Sequence, residues 1–150
     1  MDNWKIELFK KENEDASLEI RAVSSIEAKS FYDNLCQKMG YHNLDHNKRS
    51  MYEFLQQEGN HVNGCDALSS DFEISVLLEP YHLIETYDII IIWDDLGSLE
   101  MDLMPFETFK NHFFDIWYPA SDDMIFCNDK QEFVYLVRHD GMLFKMSLSS

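Results

Sequence analysis

Two aspartate pairs, Asp94-Asp95 after an isoleucine run and Asp122-Asp123 before an apolar stretch, are the residues best spaced for catalysis. Carboxylates at strand ends are where hydrolases hold divalent cations, so four converging aspartates would support metal-assisted hydrolysis. Phosphate chemistry would also need a cation beside them, and folding would have to bring Lys110 or Lys130 close. The competing reading places both pairs in turns, with their oxygens accepting from backbone amides. His42 and His46, and again His61 and Cys65, have the spacing of successive helical turns, but neither pair has the tight pattern of a zinc site. There is no nucleophile elbow, no Gly-rich phosphate loop and no dinucleotide fingerprint. None of Cys36, Cys65 and Cys127 has a basic neighbour in sequence to lower its pKa. The expectation is a chain that is not an enzyme and holds no metal or cofactor.

Binding chemistry is better represented. From Ser50 to Phe109 the chain has no Lys or Arg, yet it carries Glu53, Glu58, Asp66, Asp71, Glu73, Glu79, Glu85, Asp88, Asp94, Asp95, Glu100, Asp102 and Glu107. The net charge of -16 therefore divides into -1 before this block, -13 within it and -2 after it. A surface of one sign repels itself, so such a block serves either attraction of a basic partner or solubility. Aromatic rings lie beside acids at Trp93-Asp94-Asp95 and from Asp115 through Trp117 and Tyr118 to Asp123. Interfaces draw their energetic anchors from such rings, although Trp117 and Tyr118 would equally suit the core at element ends and Trp93 suits the core better. The candidate contact residues are Glu73, Glu79, Glu85, Asp88, Asp94, Asp95, Trp117, Tyr118, Asp122 and Asp123.

Composition narrows the classes. The chain has 150 residues, 45% of them hydrophobic, which suits one domain with a real core. The acidic block contains Phe72, Tyr81, Tyr87, Trp93 and the run Ile89 to Ile92, unlike a disordered acidic tail. Three widely spaced cysteines suggest reduced thiols and a cytoplasmic setting. The N-terminus lacks the pattern of an export signal, and no apolar run approaches membrane-spanning length. Twelve Lys and Arg against 28 acids make direct nucleic-acid binding a poor expectation.

The elements that would position these residues follow from periodicity. Trp4, Ile6 and Leu8 alternate with polar residues, as do Leu18, Ile20 and Ala22, which predicts two N-terminal strands around a polar loop. Ser24 with Glu27 forms a capping box before Ala28, Phe31, Leu35 and Met39, and Gly40 supplies a left-handed stop. A second helix is expected over Lys48 to Glu58, ended by Gly59. After a connecting loop, strands are expected at Phe72 to Leu78 and Tyr87 to Trp93. The unalternated Ile89 to Ile92 run implies a central strand buried on both faces, followed by a turn at Asp94 to Gly97. Pro105 opens a third helix through Phe106, Phe109 and Phe113, ending at Trp117-Tyr118-Pro119. Three strands close the chain at Met124 to Cys127, Glu132 to Arg138 and Met142 to Ser147, the last two joined across His139-Asp140-Gly141. The pattern is α+β, a single domain with a mostly antiparallel sheet and about three packed helices.

The segment Trp117-Tyr118-Pro119-Ala120-Ser121-Asp122-Asp123, the strand beginning Met124-Ile125-Phe126, and the stretch Val134 to Gly141 together carry a resemblance. In a small acidic α+β chain this ending resembles the immunity proteins of bacterial polymorphic-toxin and contact-dependent inhibition systems, over about the final forty residues. The resemblance implies a cytoplasmic, non-catalytic inhibitor that neutralises a cognate toxin. A basic, nuclease-type toxin would suit the charge, since an acidic surface can occupy its cleft and hasten encounter. The alternatives are a nucleic-acid mimic that blocks a restriction or RNA-guided nuclease, and the metal-dependent hydrolase built on Asp94, Asp95, Asp122 and Asp123.

Overall fold

The computed structural model describes residues 1–14, 17–41, 49–78, 88–94 and 99–148. In chain order the elements are α1 (Asn3–Glu12), β1 (Arg21–Ala22), α2 (Ser25–Met39), α3 (Met51–Glu58), β2 (Asn60–His61), α4 (Ile74–Leu78), β3 (Asp88–Asp94), β4 (Glu100–Pro105), α5 (Phe106–Asn111), α6 (Phe113–Ile116), β5 (Met124–Asn128), β6 (Phe133–Val137) and β7 (Leu143–Ser147). The strands form one seven-stranded sheet in the order β1-β4-β3-β5-β6-β7-β2, and every pairing is antiparallel. The α+β expectation is met.

The sheet is buried on both sides because its central strands offer apolar side chains to both. Side chains alternate between the faces of a strand, so Ile89 and Ile91 of β3 enter one core while Ile90 and Ile92 enter the other. Phe126, Phe133 and Tyr135 extend the first core, where α1, α4, α5 and α6 contribute Phe9, Leu77, Phe109 and Phe113. Ile125, Val134 and Leu136 extend the second, covered by Leu35 of α2 and Leu55 of α3. Registers such as Ile91 opposite Phe126, and Phe126 opposite Tyr135, hold the pattern across strands. A shift of one residue would turn every inward side chain to the wrong core.

Helix α2 ends as its sequence requires. Ser24 Oγ accepts from the Glu27 amide, and Gly40 adopts φ 77. Helix α3 begins three residues later than expected, with Ser50 accepting from the Glu53 amide. Its terminal Gly59 lies in extended backbone at φ -80, so left-handed freedom is not why glycine is needed there. A Cβ at that position would crowd the carbonyl oxygens of Leu55 and Lys145.

Several expected elements change type. The first expected strand is α1, because Lys5 and Phe9, one helical turn apart, are the residues that reach the interior. Of the second, Arg21 and Ala22 alone pair, against Leu103 and Asp102. Phe72 to Leu78 is not a strand: Ile74, Leu77 and Leu78 are buried at helical spacing in α4. Strands β2 and β4 were not foreseen. The third helix divides at His112 into α5 and α6, and the His112 ring meets Phe9 edge-on at 4.8 Å, tying the break to α1. The expected turn after Asp94 lies mainly outside the described residues.

Candidate protein-binding surface

The acids divide into those matched within the fold and those that are not. Asp122 belongs to the first group. Its Oδ2 accepts from Lys5 Nζ at 2.6 Å and from the Tyr118 amide at 2.8 Å, and its backbone carbonyl accepts from Trp117 Nε1 at 3.1 Å. Lys5 is only 1% exposed. Its ammonium lies 4.3 Å from the centre of the Trp93 ring, 5.6 Å from Tyr118 and 5.7 Å from Trp4, so three aromatic faces and one carboxylate replace its water. Sequence reading missed this site because a lone Lys in an apparent strand carries no signal of burial.

Trp117 is therefore corrected from a candidate partner anchor to core. It is fully buried and stacks on Phe113, with centroids 5.7 Å apart. Tyr118 is half-buried against Trp4, and burial followed by Asp115, Glu12 and Asp122 raises its phenol above the ordinary value. Asp123 Oδ1 accepts from the His139 amide at 2.8 Å and lies 2.9 Å from His139 Nδ1. Both aspartates of this pair bond backbone amides, as the turn reading required. Trp93 is half-buried at the edge of the first core and donates to Asp102 at 2.8 Å.

The acidic block obtains cations from outside itself. Arg49 pairs with Glu58, Lys110 with Glu107, and the Met1 amino group with Glu100 and buried Asp102. Asp88 is half-buried at the start of β3, where its carbonyl accepts from the Asp129 amide at 3.0 Å. Burial first, then the Asp88 charge, raises the Asp129 carboxyl. Asp94 is half-buried beside an irregularity in the β3–β4 ladder. Glu79, Glu85 and Asp95 lie outside the described residues.

Asp66, Asp71 and Glu73 belong to the second group, as Glu53 of α3 does: each of the three is exposed, and none makes an ion pair among the described residues. They border a cleft of about 230 Å³ lined also by Cys65, Phe72, Val76 and Leu77. Phe72 and Glu73 also line a neighbouring cleft of about 510 Å³ between α4 and the α5–α6 pair, with Lys110, Phe114 and Asp115. Val76 is 54% exposed and Phe114 51%, large apolar groups left in water beside these carboxylates. Sequence reading selected Glu73 but not Phe114 or Val76. The polar break at His112 and the helical spacing of Ile74, Leu77 and Leu78 were the available signals.

The loop carrying Asp66 is anchored from beneath. Asp66 Oδ1 accepts from the Leu68 amide at 2.9 Å, and the Ala67 amide donates to Gly141 O at 2.9 Å. Gly141 has φ 88, and a Cβ there would overlap Asp66 Oδ1 and crowd Leu68. Glycine in the β6–β7 turn is thus demanded by both backbone conformation and close approach.

Among the described residues, no group of three or more His, Cys, Asp or Glu side chains could hold a metal ion. His42 and His46 lie outside them, while His61 Nδ1 contacts Asn63 Oδ1 at 2.9 Å. The three cysteines are free, and burial pushes the Cys127 thiol far up. No described helix is long and apolar enough to cross a membrane. No family model matches this chain, and neither does any curated protein or solved structure.

Proposed function

We propose that this chain is a non-catalytic protein inhibitor that binds and neutralises a basic, nuclease-type toxin domain in the cytoplasm, in the manner of the immunity proteins it resembles. The observation that carries this reading is the unneutralised trio Asp66, Asp71 and Glu73 beside exposed Val76 and Phe114, mounted on a sheet buried on both faces. A rigid acidic surface with apolar anchors loses little entropy on binding and attracts a basic domain from a distance. Asp122 and Asp123 accept bonds from their own chain, so the hydrolase alternative gains no geometric support from them.

The test is affinity capture on the immobilised full chain from the source cell's lysate, washed at low and high salt. The expected result is a single basic toxin or nuclease domain, retained best at low salt and inhibited at equimolar ratio. A captured partner whose activity is unaffected overturns the reading. Inhibition relieved by any excess duplex would favour the nucleic-acid-mimic alternative.

A further inference from the structure

We propose that the joined clefts beneath Val76 and Phe114 receive a basic amphipathic segment of the partner, its apolar side chains on Phe72, Val76 and Phe114 and its Lys or Arg heads on Asp71, Glu73 and Asp115. The proposal rests on the inhibitor reading and states where and how the partner is held. Phe72 is the centre, because its ring lies 5.6 Å from Phe113 and 6.2 Å from Phe114 and it lines both clefts. Beneath it, Ile74, Leu77, Phe113 and Ile116 are core residues, so the floor is fixed by packing. Above it, Val76 and Phe114 project from α4 and α6 with half their surface in water. An apolar centre inside a charged rim is the arrangement of a binding hot spot.

Charge complementarity decides the occupant. Asp66, Asp71, Glu73 and Asp115 line the two clefts, whose one described Lys or Arg is Lys110, and Lys110 already pairs with Glu107 at 3.0 Å. Asp115 lies 3.3 Å from His112 Nδ1. An acidic segment would be repelled by these carboxylates, and a purely apolar one would desolvate them without a partner. Lys and Arg suit both parts of the site, since their stems cover apolar surface while their heads reach the rim.

The experiment is amide-resonance titration of the full chain with three matched synthetic peptides: alternating Leu and Arg, the same with Ser for Leu, and the same with Glu for Arg. The expected result is that the Leu-Arg peptide alone binds strongly and moves resonances of Phe72 to Leu77 and Asn111 to Asp115. Val76→Ser with Phe114→Ser should weaken it about tenfold or more. Ile26→Ser, at a residue of α2 that is 86% exposed, should leave it unchanged. Equal binding of both basic peptides, or shifts centred on α2, overturns the groove and leaves charge-driven inhibition standing. Absence of binding by either basic peptide overturns the groove, and the inhibitor reading then rests on the capture experiment. Groove binding by the Leu-Arg peptide, with no toxin inhibited by the chain, overturns the inhibitor reading alone.

Discussion

Asp122 and Glu73 are both carboxylates, one beside a buried lysine and the other at the mouth of an apolar cleft, and their surroundings give them different work. Asp122 is held by Lys5 and the Tyr118 amide in a cage of aromatic rings, where its charge is used to join α1 to the segment before β5. Glu73 borders two clefts and makes no ion pair among the described residues. A high acid count therefore says little about binding until the acids matched within the fold are set aside. Among the described acids that remain, Asp66, Asp71 and Glu73 are grouped around one cleft.

The sharpest way to break this contrast is to remove the internal cation. Lys5→Ala leaves Asp122 largely buried without its charge partner and should cost about 3–5 kcal/mol in urea denaturation. Replacing both charges, as Lys5→Met with Asp122→Asn, which keeps an acceptor for the Tyr118 amide, should recover a large part of that loss; no recovery would show that the ring contacts outweigh the ion pair. Next in size is Gly141→Ala, which forces a positive φ and displaces Asp66. A loss of about 1–3 kcal/mol is expected, with amide resonances of Ala67 and Leu68 shifted.

Charge reversal at the cleft should do the opposite. Asp71→Lys with Glu73→Lys should change stability by less than about 0.5 kcal/mol while slowing association with a basic partner and flattening its salt dependence in stopped-flow measurements. A large stability loss would place these acids with Asp122.

The smallest effect concerns Asp129, whose carboxyl burial and Asp88 raise. Because the folded chain holds this proton more tightly than the unfolded one, stability falls as pH rises from the ordinary carboxylate range through the raised value. Asp129→Asn should therefore stabilise the protein at neutral pH, and the gain should fade as pH is lowered through that window. Urea midpoints across a pH series would show it, and a gain independent of pH would refute the cause.

Much of the fold was legible wherever a local pattern had one interpretation. The capping box at Ser24 and Glu27, the left-handed Gly40 and the closing strands need only neighbouring residues to explain them. The N-terminus misled because Trp4, Ile6 and Leu8 suggest alternation over too few turns to exclude a helix. Phe72 to Leu78 failed similarly, since Phe72, Ile74 and Val76 alternate while Ile74, Leu77 and Leu78 fit one helical face. In the candidate site Glu73 was legible as part of a charge block. Phe114 was not, because its neighbour Phe113 is core and composition cannot say which ring faces inward.

By itself the sequence determined the charge, the capped helix α2, the doubly apolar strand β3 and the α+β class, because helix caps, hydrophobic period and net charge are properties of short segments. The tertiary structure decided which charges survive at the surface. Lys5 and Asp122 lie 117 positions apart, and only the packing of α1 against the segment before β5 places them 2.6 Å from each other. The same packing buries Trp117 and leaves Phe114 in water, since which aromatic ring is shielded depends on the helices and strands that close around it, and those come from distant parts of the chain.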